Sequence, residues 1–194
     1  PLRSSAASDV YKRQGEVLQL TVSRDISTDE EIYLKVIRGK TAALFSAATQ
    51  VGAVISGSEE TIINALYKYG DALGVAFQIV DDLLDVVGDS RIIGKNNGDD
   101  FRERKLTLPF IKAISSCNQN EKDFWKRTIE KGDQTSEDFD TALELMQKYE
   151  AIERTRLDAL KWAKTAKNSL DAVPDNDIKI ILTALADYVV DRVK

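Results

Sequence analysis

Residues 71–87 read DALGVAFQIVDDLLDVV, and the fold turns on how this stretch is interpreted. Side chains three and four apart share a face on a helix, so Gly74, Gln78, Asp81 with Asp82, and Asp85 fall on one stripe. The rest of the surface is Leu73, Val75, Ala76, Phe77, Ile79, Val80, Leu83, Leu84, Val86 and Val87. A helix that is apolar almost all round is buried, so its single polar stripe must face a cavity or a buried partner. Three carboxylates within about one turn repel one another and lose hydration, and such charge persists only where something cationic neutralises it. Oxygen ligands of this kind suit magnesium, which takes one or two carboxylates and lets substrate phosphates complete its shell. Without the apolar surround, the same acidic string would read as a solvated face. Gly74, lacking a side chain, lets another helix or a long apolar substrate come close.

Working outward, Thr28 with Glu31 makes a capping box, and residues 29–56 (DEEIYLKVIRGKTAALFSAATQVGAVIS) keep helical spacing as one long helix. Gly57 ends it, Ser58 can cap the next, and residues 59–68 continue helical up to Gly70, with 71–87 nearly continuous with them. Residues 88–105 (GDSRIIGKNNGDDFRERK) form a glycine-rich, charged, unpatterned loop of a length usually reserved for function. After the start-type pair Thr107 and Pro109, helical patterns run over 108–117, 121–131, 136–148, 150–171 and 175–193, punctuated by Gly132 and Pro174. No segment alternates as a strand would, so the expectation is an all-α single domain.

Composition narrows the chemistry. A chain of 194 residues can bury a core without staples, and one cysteine, Cys117, cannot form an internal disulfide. A net charge of −5 with no basic cluster argues against nucleic-acid partners. No stretch is long and apolar enough to suggest a membrane span, and a reducing cytoplasmic setting is expected. The absence of histidine removes the commonest general base and zinc ligand, leaving carboxylates, lysines, hydroxyls and amides.

Two lysine settings complement the acidic stripe. Lys40 is flanked one turn away by Val36, Ile37, Ala43 and Leu44, so its ammonium either snorkels to solvent or enters a polar cavity, with the Thr41 hydroxyl beside it. In the loop, Lys95, Asn96, Asn97 and Gly98 offer a cation and backbone amides that can wrap phosphate oxygens, and Lys105 adds a further charge. Trp125 and Trp162 are expected to be packing anchors. Residues 1–14 (PLRSSAASDVYKRQ) break the pattern: 4–14 match one reading frame of a sequencing adaptor, so a foreign or disordered tail is expected there, with the native sequence starting at Gly15.

Taken together, GEVLQL from Gly15, GKTAALF from Gly39, FQIVDDLLD from Phe77, GKNNGDD from Gly94 and KLTLP from Lys105 resemble the trans-prenyl diphosphate synthases, most closely their long-chain octaprenyl and decaprenyl branch. The resemblance implies an isoprenoid-synthase-type helical bundle, of which residues 15–194 would be the C-terminal part. It implies that Asp81, Asp82 and Asp85 are the second aspartate-rich motif, with Asp81 and Asp85 reaching Mg²⁺ on the allylic diphosphate. It further implies that Lys40, Lys95 and Lys105 hold that diphosphate, and that Thr41 and Gln78 stand beside the reacting carbons. The activity implied is head-to-tail condensation of isopentenyl diphosphate with an allylic diphosphate to make a long-chain quinone side-chain precursor, in a homodimer. A shorter-chain synthase and a non-catalytic subunit of such an enzyme remain the alternatives. The family's first aspartate-rich motif has no counterpart here, so the chain alone is expected to be inactive. Arg104 and Asn96 stand where the branch often has glycine and proline, and neither change removes a charge the mechanism needs.

Overall fold

The computed structural model describes residues 4–88 and 97–193, with side chains described from Arg13 onward. Every regular element among the described residues is helical. Among the described residues ten α-helices follow in order: α1 (Ser4–Val22), α2 (Glu30–Ile37), α3 (Ala43–Ile55), α4 (Glu60–Val87), α5 (Asp99–Arg102), α6 (Leu108–Ser116), α7 (Gln119–Trp125), α8 (Asp138–Lys148), α9 (Ala151–Ser169) and α10 (Asp177–Asp191). The all-α expectation therefore holds. Helix α1 runs through the junction at Gly15, where the sequence pattern changes.

Helix α4 is the axis of the molecule. Along its 28 residues Leu73, Val75, Ala76, Ile79, Val80 and Leu83 are all at most 1% exposed. Fully burying each large aliphatic of that set contributes about 1.5–3 kcal/mol. Gly70 does not separate two helices, as the sequence suggested, because α4 continues through it. A Cβ on Gly70 would lie 2.6 Å from the Phe45 carbonyl oxygen, and one on Gly74 would lie 2.6 Å from the Ala42 Cα. Gly70 lets the backbone of α3 press against α4, and Gly74 does the same for the residue just before α3. On another side α9 packs along α4, and the Tyr69 hydroxyl donates to the Leu182 carbonyl at 2.8 Å, fixing α10 to the same axis.

The long helix expected over residues 29–56 is present with one interruption. Residues Arg38–Ala42 form a turn of π-helix between α2 and α3. Such bulges widen a helix locally and are frequent at functional sites. Gly15 of α1 sits on this turn: a Cβ there would lie 2.5 Å from the Lys40 backbone nitrogen. The cap of α2 is one residue later than expected. Asp29 accepts from the Ile32 amide at 2.8 Å, while the Thr28 hydroxyl donates to the Val22 carbonyl and ties α1 to α2. Glu31 pairs with Lys35 rather than closing a capping box. Ser58 does not cap α4, which begins after Glu59 with no side-chain cap; the Ser58 hydroxyl pairs with that of Ser56. Gly57 does end α3, at φ +68.

The later helices close the core. Trp125 is fully buried, edge-on to Phe110 and Phe124, and Trp162 carries the Arg38 guanidinium 5.1 Å from its ring centroid. Lys112 on α6 is almost wholly buried, with Glu30 of α2 at 2.8 Å and Asp158 of α9 at 2.7 Å. Burial alone would raise Asp158, but Lys112 and Lys161 prevail and its carboxyl is lowered.

Candidate active site

The first half of α4 packs; its second half reaches a cleft lined by Lys40 from the π-turn, Tyr33 from α2, Gln78 and Asp82 from α4, and Lys105 and Thr107 from the strap before α6. The helix α1 contributes Gln19, Val22 and Ser23 to the same walls. The π-turn is what brings Lys40 and Thr41 to bear on α4, because Ala42, immediately after them, is the residue against Gly74.

A continuous set of hydrogen bonds crosses this cleft. Tyr33 donates to Asp82 Oδ2 at 2.5 Å, Gln78 Nε2 donates to Asp82 Oδ1 at 2.9 Å, and Thr41 donates to Gln78 Oε1 at 2.8 Å. Asp82 thus holds the Gln78 amide in one orientation, which in turn holds the Thr41 hydroxyl. The carboxyl of Asp82 is 5% exposed, and burial is the main reason its pKa is pushed up to about 7, against the hydrogen bonds that lower it. The Tyr33 hydroxyl is raised well above its ordinary value, first by burial and then by the Asp82 charge. Tyr33 was not singled out in the sequence, because its partner lies 49 residues away.

The three aspartates of the stripe are therefore not equivalent. Asp82 turns inward, with both carboxylate oxygens engaged by protein donors, unlike Asp81 and Asp85. Asp81 is exposed and its charge raises both Asp82 and Asp100. Asp85, one turn on, is half-buried and accepts from the Asp100 amide at 3.2 Å. Burial, then the neighbouring Asp100 charge, pushes Asp85 up to about 6. Among the described residues no three acidic side chains gather closely enough to hold a metal unaided. An exposed and a half-buried carboxylate one turn apart, beside the like charge of Asp100, still suit a hard cation whose shell is completed by a ligand's oxygens.

Lys105 lines the cleft while pairing with Glu103 and, at 3.4 Å, with Asp100. Burial would lower its ammonium, but these two acids raise it. Asn97 donates to the Gly88 carbonyl at 2.6 Å and the Gly98 amide to the Asp85 carbonyl, folding the loop's end back on α4. Lys95 and Asn96 lie outside the described residues. So Lys40, Thr41, Gln78, Asp82 and Lys105 are brought together, with Asp81 and Asp85 on the next turns of α4. No described helix is long and apolar enough to cross a membrane.

Comparison with known proteins adds an independent line. Residues 6–146 match the family described as polyprenyl synthetase. The octaprenyl diphosphate synthase of Haemophilus influenzae is 37% identical over 179 residues, which cover 92% of this chain and 54% of that protein. A decaprenyl diphosphate synthase from Rhodobacter capsulatus superposes with a TM-score of 0.93 at 56% identity, over 97% of this chain and 58% of that one. A polyprenyl synthase from Caulobacter crescentus, solved with calcium and isoprenyl diphosphate, gives a TM-score of 0.93 at 42% identity, over 97% and 58% of the two chains. This chain spans about half the length of the curated relatives it matches.

Proposed function

The chain belongs to the polyprenyl synthetase family, and from that premise we propose that it supplies one wall of a prenyltransferase site that condenses an allylic diphosphate with isopentenyl diphosphate, head to tail. The observation that carries this reading is the cleft itself. It sets two lysines against an amide and a hydroxyl oriented by buried Asp82, with Asp81 and Asp85 beside it on α4 and no histidine or cysteine. That donor set suits a diphosphate bridged to a hard cation, and it suits little else.

Asp81 and Asp85 would hold Mg²⁺, which when bound withdraws charge from the departing diphosphate. Lys40 and Lys105, with Lys95 from the loop, would bind the diphosphate oxygens as charge builds on them, an electrostatic stabilisation aimed at the leaving group. Gln78 Oε1, held by Asp82, and the Thr41 hydroxyl would face the allylic carbons and stabilise positive charge there. Asp82 acts through Gln78 and Tyr33 rather than on the substrate. Proton removal at the end of the condensation would fall to the released diphosphate, in keeping with a site that holds no neutral general base.

The long-chain product, the quinone side-chain role, the cytoplasmic setting and the homodimer belong to the same proposal. The 56% identity to the Rhodobacter decaprenyl synthase supports the long-chain reading over a short-chain one. Retention of Asp81 and Asp85 argues against a non-catalytic subunit. On α3, the exposed Leu44, Val54 and Ile55 are apolar surface of the kind a subunit contact covers. The chain alone, with no second acidic motif to face Asp81 and Asp85, is expected to turn over no substrate. The test is calorimetric titration of a non-reactive allylic diphosphate analogue into the chain, with and without Mg²⁺. Binding that requires Mg²⁺ and is weakened by Lys40→Ala is expected; binding indifferent to both would refute the reading.

A further inference from the structure

Thr107 stands at the N-cap of α6, where a threonine hydroxyl ordinarily accepts a hydrogen bond from the second or third amide of the helix. Here it does not: the second helical residue is Pro109, which has no N–H, and the side chain makes no cap. The hydroxyl is also without any other partner, although the residue is 5% exposed. A buried hydroxyl left unpaired costs stability, so a site that keeps one has a use for it. Thr107 lines the cleft beside Lys105 and across from Lys40 and Gln78. The first amides of α6 have no intrahelical acceptors, and their helix end carries partial positive charge.

From a buried, unpartnered hydroxyl that lines the cleft and the nine-residue helix that opens behind it, we infer that the Thr107 end of α6 is an anion subsite. It takes an oxygen of the diphosphate, with the Thr107 hydroxyl as donor and the helix end as fixed positive charge. The inference rests on the diphosphate-binding reading above and adds to it a neutral donor that no charge pattern would reveal. Pro109 has a specific part: it takes away one amide that would otherwise occupy the hydroxyl, leaving it free for ligand.

The subsite makes stability and binding move in opposite directions. Thr107→Val keeps shape and removes only the orphaned hydroxyl. In the ligand-free chain it should raise Tm by about 2–4 °C, because an unsatisfied buried group is gone. Inorganic pyrophosphate with Mg²⁺, titrated by calorimetry, should bind Thr107→Val about tenfold more weakly than the parent, the scale of one hydrogen bond to a charged oxygen. Thr107→Ser should restore parental affinity. A fall in Tm on Thr107→Val, or unchanged pyrophosphate affinity while the parent binds, would overturn the subsite and leave the diphosphate reading standing. A parent chain that binds no Mg²⁺–pyrophosphate would overturn both.

Discussion

The acids of the cleft and the acids of the outer helices ionise in opposite senses. At the cleft and one turn beyond it on α4, burial and like charges push Asp82 up to about 7 and Asp85 up to about 6. On the outer helices, Asp138 is held down to about 2 by the Arg127 guanidinium, which reaches both of its oxygens at 2.6 and 2.9 Å. Glu121 is likewise drawn down to about 2 by Lys148 and Tyr149, which close on it from α8 and just beyond. Lys112, though buried, has Glu30 and Asp158 against its ammonium. These scaffold acids have protein cations against them, whereas no ion pair with Asp82 or Asp85 occurs among the described residues. Charge withdrawn from water must be neutralised, and on the proposed function a bound cation and its anion would do so at the cleft.

The comparison is sharpest at Asp82, the one cleft acid fully held by protein donors. Tyr33→Phe removes the shorter of its two hydrogen bonds and leaves a buried carboxylate oxygen unpaired. The expected loss is about 2 kcal/mol, the cost of an unsatisfied buried acceptor, read from urea unfolding. A loss under about 0.5 kcal/mol would mean that Tyr33 does not hold Asp82 and that the relay to Gln78 and Thr41 is incidental. A smaller effect is expected on the scaffold side, and its pH dependence falls in the acid range. Asp138 has a folded pKa lowered below its ordinary 3.8 to about 2, so the native state binds fewer protons than the unfolded chain in between. Its contribution is therefore present above about pH 4 and lost as the pH falls towards about 2. Asp138→Asn should flatten that limb of a stability-against-pH curve. A curve unchanged by the substitution would show that the Arg127 pair contributes nothing there.

Much of this architecture could be read from helical periodicity. The helices after Lys105 and the stripe of Gln78, Asp81, Asp82 and Asp85 follow from 3.6-residue spacing and from punctuation at Gly57, Gly132 and Pro174. Lys40 stood out because a cation flanked by apolar neighbours needs a reason. What escaped the sequence depends on contacts distant along the chain. The π-turn at Arg38–Ala42 forms where Gly15 of another helix sits on its backbone, and no local pattern announces that. Gly70 reads as a helix end but is a packing notch for Phe45 and Ser46. Thr28 and Asp29 are both good caps, and only the fold decides between them. Thr107 followed by Pro109 reads as an ordinary helix start, and the freed hydroxyl shows only once burial is known. The two acidic partners of Lys112 come from different helices, which no local pattern announces.

On the proposed function, Mg²⁺ and diphosphate bind at the cleft and leave the ion pairs of the outer helices untouched. The most direct test of this claim compares the rise in Tm given by Mg²⁺ with inorganic pyrophosphate in the parent chain, in Asp81→Asn/Asp85→Asn and in Asp138→Asn. Ligand that binds only the folded state stabilises it in proportion to the occupancy of its site. The cleft double variant should lose the rise, and Asp138→Asn, although less stable above about pH 4, should keep it in full. A rise retained by the cleft variant, or abolished in Asp138→Asn, would contradict the claim.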